Sequence, residues 1–304
     1  MNKKRHTALV RTDPTAFGPH YWGTWTVCER KAWLIELERT HQEPGELSGV
    51  IYFDVGTILH ALLALHYGTA LEARQAIDTT RVKYVTAAGP LDVERYSEAI
   101  YEAERLFRAY RVYWGWNDLG KIVAVEKELE MTLPRGQTIT FSSQTITGGL
   151  DLISKMSARD LKKNGLQGEP GLYLHDHKTR SKKDPYEYEM ACHDLQFSTY
   201  AKLVETAEKK WGPVRGFIVN LIYKGTTPSF GRILISKDAL EAEWKVSEGL
   251  YQVAFQAKRE SLRVLEAGGL PTARTRACFK KSIVGWDICP FYKSRQCDRQ
   301  QKGS

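Results

Sequence analysis

The chain has no apolar run of about 18 residues, the length a membrane-spanning helix needs, and none is expected in its fold. Its basic start, Met1-Asn2-Lys3-Lys4-Arg5-His6, is not followed by the apolar stretch of a secretory signal, so it reads as a solvated tail. Cysteine is scarce: five residues in 304, at Cys28, Cys192, Cys278, Cys289 and Cys297. An odd count in a chain of this size argues against a secreted disulfide framework and for a reducing, cytoplasmic setting, where clustered cysteines more often mean metal. There is no internal repeat, no low-complexity segment and no clear linker, which excludes solenoids and extended arrays.

What is present suits a soluble globular chain. Apolar residues make up 42% and charged residues 26%. The length allows one large domain or two modest ones with a buried core. The formal net charge of +8 fits a polyanionic partner, though charge alone says little about function. The patterning changes along the chain. Helical spacing runs over Val27–Glu38, from Ile58 to about Arg74, and over Val93–Trp114, where Asp92 is a plausible N-cap. Strand-like stretches follow over 121–133, at Thr138 and Thr145, around Asp151, and from Leu172 to Asp176. The segment between Lys155 and Gly171 reads as a polar loop, and Lys178 to Lys183 as a basic turn. A helix over Tyr188–Trp211, strands over Val214–Tyr223 and Arg232–Ile235, and a long amphipathic helix from Lys237 to about Ala267 complete the pattern. The expectation is an α/β chain in three parts: a helical part over 1–120, a mixed sheet with helices over 121–267, and a cysteine-bearing segment over 268–304 that packs back on the N-terminal part.

Chemistry concentrates on two strand ends. Asp151 lies in Gly148-Gly149-Leu150-Asp151-Leu152-Ile153, and Asp176 in Leu174-His175-Asp176-His177-Lys178-Thr179. Strand alternation puts Asp176 and Lys178 on one face and turns His175 and His177 to the other, toward packing. Two carboxylates hold a hard divalent cation through oxygen. A neighbouring ammonium orients water and offsets charge developing on a phosphate. Taken singly, each residue has a plain structural reading: strand-end turn acids, an ordinary helical Gln196, and a satisfied core histidine at His60.

In order, the motifs say more. Gly56-Thr57-Ile58-Leu59-His60, then Gly148-x-x-Asp151, then Asp176-x-Lys178-Thr179, then Gln196-x-x-x-Tyr200 resemble the PD-(D/E)XK nuclease superfamily. More narrowly, they resemble its RecB-like branch, which includes CRISPR-associated and phage-type iron–sulfur exonucleases. The matches span Gly56 to Tyr200, about half the chain. The resemblance implies a restriction-endonuclease-like core, a central mixed sheet flanked by helices. It implies His60, Asp151, Asp176 and the carbonyl of His177 as ligands of Mg²⁺ or Mn²⁺, with Lys178 positioning or activating the attacking water. Gln196 and Tyr200 would face the substrate or the lysine, and Glu126 or Glu128 would line the cleft. The activity implied is hydrolysis of DNA phosphodiester bonds, on single strands or at free ends, as an exonuclease. The alternative is a non-cutting DNA-binding or DNA-capture subunit of a recombination, repair or CRISPR adaptation complex. The chain carries no Gly-Lys-Ser/Thr phosphate loop, so any unwinding needs a helicase partner.

Some RecB-like relatives hold a [4Fe-4S] cluster with one N-terminal and three C-terminal cysteines. Cys28, Cys278, Cys289 and Cys297 resemble that set in number and order, with Cys289-Pro290-Phe291 and Cys28-Glu29-Arg30-Lys31 the most similar pieces. The C-terminal spacing, Cys-x10-Cys-x7-Cys, is wider than in many relatives. Zinc on the same thiolates and unliganded buried cysteines remain alternatives. Cys192 reads as a small core residue, or as a substitute ligand. The basic groups Arg180-Lys182-Lys183 and Arg274-Arg276-Lys280-Lys281 suit either a phosphate backbone or a solvated face.

Overall fold

The computed structural model describes Trp22, Ala32 and residues 51–69, 73–87, 93–115, 118–133, 144–268, 279–282 and 285–288. Three helices come first: α1 (Ile51–Thr69), α2 (Ala73–Ala87) and α3 (Val93–Trp114). Strands β1 (Lys121–Leu133) and β2 (Gln144–Met156) follow, then a short α4 (Ala158–Lys163) and β3 (Gly171–Arg180). Next come α5 (Glu187–Cys192), α6 (Leu195–Ala207) and a 3₁₀ turn over Lys209–Trp211. β4 (Val214–Tyr223), β5 (Ser229–Ser236) and the long α7 (Lys237–Glu266) precede a small antiparallel pair, β6 (Phe279–Ser282) and β7 (Gly285–Ile288). No helix among the described residues is long and apolar enough to cross a membrane.

β1 to β5 form one sheet in the order β1-β2-β3-β4-β5. β3 pairs antiparallel with β2 and parallel with β4, and β4 pairs antiparallel with β5. The architecture is therefore the expected α/β type with a mixed sheet. A parallel pair cannot be joined by a tight turn, and the crossover from β3 to β4 carries α5 and α6. β3 is the middle strand, and Leu172 to His177 are all buried.

The chain divides into two compact units: 45–129 with 149–243, and 1–44 with 130–148 and 244–304. In the first of these, α1 and α3 pack through apolar positions three and four apart. Ile58, Leu59, Leu62 and Leu63 meet Ala99, Ala103, Leu106, Phe107 and Tyr110, and Ile222 of β4 joins the cluster. Burying one such large side chain stabilises the fold by about 1.5–3 kcal/mol over leaving it exposed. Met156, Leu161, Tyr173 and Ile218 form a smaller core around α4. In the other unit, Trp22 packs edge-on against Phe255 of α7, ring centroids 4.3 Å apart.

Several element limits differ from those read in the sequence. Gly56 lies inside α1 rather than before it, and the helical run read from Ile58 to about Arg74 corresponds to α1, which ends at Thr69, and the start of α2 at Ala73. The polar stretch after β2 contains α4, started by a capping box in which Ser157 and Asp160 satisfy each other's backbone N–H groups. Lys178 to Arg180 extend β3 rather than forming a turn. The helix expected over Tyr188–Trp211 is interrupted at His193–Asp194, where the Asp194 side chain accepts from the Gln196 N–H at 2.8 Å and starts α6. The helix expected over Val27–Glu38, apart from Ala32, and the strand expected at Thr138 lie outside the described residues.

Candidate active site

The β2–β3 register sets Leu152 opposite His175, so the next residues along the two strands are Asp151 and Asp176. α1 contributes His60 from the side. Helix and strand approach closely at Gly56: a Cβ there would stand 3.3 Å from Thr179 Oγ1. The peptide unit of His177 joins the three elements. Its N–H donates to Asp151 Oδ2 at 2.8 Å, and its carbonyl oxygen lies 2.5 Å from His60 Nε2. His60 Nδ1 stands 3.4 Å from Asp151 Oδ2.

Lys178 lies on the same face as Asp176, as alternation requires, with Nζ 3.0 Å from each carboxylate oxygen. The N–H direction serves Oδ1, and Oδ2 is buried without a hydrogen-bond partner. Lys178 also donates to Gln196 Oε1 at 3.1 Å. Gln196 Nε2 reaches Asp176 Oδ1 at 3.3 Å and Tyr200 Oη at 3.1 Å. The spacing of four on α6 stacks Gln196 and Tyr200 on one face. The structure thus brings together His60, Asp151, Asp176, His177, Lys178, Gln196 and Tyr200. Cys28, Cys278, Cys289 and Cys297 lie outside the described residues. Cys192 is only partly buried at the end of α5. His193 is largely exposed, with Nδ1 3.0 Å from Glu243 Oε2.

Burial is the largest single influence on each of these groups, but not always the one that sets the direction. Burial opposes a charged His60, but the charge and hydrogen bond of Asp151 outweigh it and raise the imidazole to about 9. Burial likewise opposes ionised Asp151, yet the His60 charge holds that carboxyl well below its ordinary value. Asp176 goes the other way, pushed up to about 6 by burial and by the Asp151 charge. Burial pushes His177 down to about 3 and His175 well below its usual range, so both rings are neutral. His175 Nε2 sits 2.8 Å from Ser154 Oγ, which gives it a structural partner.

Behind the site lies a buried polar network that the sequence reading did not include. The Tyr67 ring stacks on the His177 ring, centroids 6.0 Å apart and 10° from parallel. Its hydroxyl meets Asp118 Oδ1 and Oδ2 at 3.2 Å each and Tyr110 Oη at 2.9 Å. Asp118 forms a fully buried ion pair with Arg232, whose guanidinium also bonds Asn164, Asn220 and Tyr110 and lies 3.7 Å over the Trp114 ring. One signal was available: Tyr67 follows His60 by two helical turns and shares its face. The rest is brought together from five elements and connecting segments, beyond the reach of any local pattern.

Among the described residues, no three His, Cys, Asp or Glu side chains already form a group able to hold a metal ion. Two carboxylates and a main-chain carbonyl are nevertheless the right kind of donor for a hard cation, with Asp176 Oδ2 lacking a hydrogen bond, and His60 adds a nitrogen donor that suits a softer ion such as Mn²⁺ better than Mg²⁺. A cation would take over the contacts these groups now make with each other.

No curated protein is a significant match to the chain. Among solved structures, a candidate exonuclease from Eubacterium rectale is 12% identical, with a TM-score of 0.49 over 86% of this chain and 87% of its own. A protein named SSO0001 is 14% identical, with a TM-score of 0.30 over 68% of this chain and 84% of its own. The family model of the PD-(D/E)XK nuclease superfamily matches residues 24–293. With that match spanning well over half its length, the chain belongs to the PD-(D/E)XK nuclease superfamily.

Proposed function

We propose that the chain is a divalent-metal-dependent deoxyribonuclease that hydrolyses phosphodiester bonds in single-stranded or end-containing DNA. The observation that carries this reading is the Lys178 bridge: one ammonium holds both Asp176 and Gln196, beside a second acid whose partner is His60. His60, Asp151, Asp176 and the His177 carbonyl would hold Mg²⁺ or Mn²⁺. A cation bound there supplies Lewis-acid polarisation of the phosphodiester and lowers the pKa of water. Lys178 orients the attacking water and offsets negative charge as it develops on the phosphate. Gln196 keeps Lys178 and Asp176 in register, and Tyr200 fixes Gln196.

The reading includes a [4Fe-4S] cluster on Cys28, Cys278, Cys289 and Cys297, supported by the number and order of these thiolates in the sequence. Such a cluster would anchor the segment 268–304 on the N-terminal part. A cytoplasmic location and a helicase or recombination partner complete the proposal.

The test is degradation of single-stranded DNA labelled at either end, with Mg²⁺, Mn²⁺ or EDTA, beside Lys178→Ala. The expected result is cation-dependent cleavage that the variant slows by about 100-fold or more, the scale of losing one charge-stabilising donor. Absence of cleavage by the folded, cation-supplied chain would instead favour the non-cutting DNA-capture reading.

A further inference from the structure

The peptide of His177 joins the site, yet the sheet does not hold it on the β2 side. The antiparallel register of β2 and β3 runs from Met156 opposite Gly171 to Leu152 opposite His175, and His177 lies beyond it. Its N–H and carbonyl meet side chains instead: the N–H donates to Asp151 Oδ2 at 2.8 Å, and the oxygen lies 2.5 Å from His60 Nε2. Other contacts have to fix this peptide if its oxygen is to serve as a donor in a constant place.

Alternation turns the His177 ring to the face of the sheet opposite Asp176 and Lys178. There the Tyr67 ring lies nearly parallel to it, centroids 6.0 Å apart, while the His60 and Tyr110 rings stand edge-on at 6.0 and 6.1 Å. Such separations are those of attractive aromatic pairs. Tyr67 is held in turn at its far end. Its hydroxyl donates to Asp118, 3.2 Å from either carboxylate oxygen, and meets Tyr110 Oη at 2.9 Å. Asp118 is clamped by Arg232, and both are fully buried. Arg232 ends a cross-strand row: His177 of β3 is in register with Asn220 of β4, and Asn220 with Arg232 of β5, whose Nε donates to Asn220 Oδ1 at 2.5 Å. The row and the stack thus lead to His177 from two directions. Stability does not account for the ion pair between them, because apolar residues of similar volume often serve a fold as well or better.

We propose that Tyr67 is a positioning residue: its ring, anchored through its hydroxyl on the Asp118–Arg232 pair, holds the His177 ring so that the His177 peptide keeps its N–H on Asp151 and offers its carbonyl oxygen to the cation. The inference rests on the nuclease reading for that cation and adds to it a residue that is itself no ligand. It also gives the His177 side chain a task, although the donor is a main-chain atom present whatever the side chain. One helix serves both ends of the arrangement, since α1 carries His60 to the peptide and Tyr67 to the ring.

The experiment measures Mn²⁺ binding to the EDTA-stripped full chain by calorimetry, beside melting temperature and cleavage of end-labelled single-stranded DNA. Tyr67→Leu removes the stack. His177→Ala removes it from the other side and leaves the carbonyl in the chain, so it carries the test if Tyr67→Leu does not fold. Each is expected to weaken Mn²⁺ binding by about tenfold or more, the scale of losing an outer contact to a metal ligand. Tyr67→Phe keeps the ring and is expected to retain most of the affinity. Since both variants delete one contact, the double variant Tyr67→Leu/His177→Ala should bind little more weakly than either alone. Leu106→Ala, a cavity variant in the buried core of α3, should melt lower than wild type and bind Mn²⁺ as wild type does. Unchanged Mn²⁺ affinity in Tyr67→Leu and His177→Ala, or the same weakening in Leu106→Ala, would overturn the inference and, with wild-type cleavage intact, leave the nuclease reading standing. A folded wild type that neither binds Mn²⁺ nor cleaves DNA would overturn both.

Discussion

Burial alone would favour the neutral form of His60, and the neighbouring carboxylates reverse that preference. With the imidazole at about 9 in the folded chain against 6.5 as its ordinary value, the folded state holds the proton more tightly than the unfolded state. The resulting stabilisation is complete below about pH 6.5 and is lost as pH rises through about 9. Urea unfolding of the EDTA-treated chain should therefore show a midpoint that declines across that window, and His60→Asn should flatten the decline. A wild-type midpoint independent of pH there would contradict the assignment. A cation ligated by His60 needs the same proton removed, so its binding should tighten over the same range and release a proton to the buffer. Gly56 shows why a single residue is hard to read from sequence. It resembles a helix start, yet it lies within α1, where its missing side chain lets the helix approach Thr179.

At the scale of elements, the site depends on two strands, two helices and the polar network behind them. Asp118 and Arg232 are both fully buried, so removing one strands the other without its counter-charge. Asp118→Ala should lower the unfolding free energy by about 3–5 kcal/mol, read from denaturant melts. A loss under about 1 kcal/mol would mean that the pair is solvated in practice. Much of the element pattern was legible. β4 over Val214–Tyr223 is mostly apolar, broken by Arg215 and Asn220, and is buried at every position but Arg215, as a strand covered on both faces should be, and α3 over Val93–Trp114 keeps helical spacing throughout. The acid–lysine pair was legible because strand alternation is a strict period. What was missed depends on short-range capping or on distance. Asp194 interrupts an otherwise helical segment through its own side chain, and that break places Gln196 in the first turn of α6. The Tyr67–Asp118–Arg232 network joins residues 51 and 114 positions apart and has no periodic signature.

For the whole molecule, the proposed cluster would join Cys28 to Cys297 and close nearly the entire chain into one loop. Ligand binding of that kind contributes directly to folding free energy. Cys289→Ser should reduce soluble yield, iron content and melting temperature together, with a smaller effect on the specific activity of what remains folded. Normal yield and melting temperature would exclude the staple. The topology of the sheet also orders how the molecule is built. Asp151, Asp176 and Lys178 stand on β2 and β3, antiparallel neighbours joined by the segment 157–170 that carries α4, whereas Gln196 and Tyr200 ride on the longer crossover to parallel β4. Local antiparallel pairing precedes long-range parallel closure because it costs less loop entropy. Folding in that order sets the acids and the lysine side by side before the helix that restrains the lysine has docked.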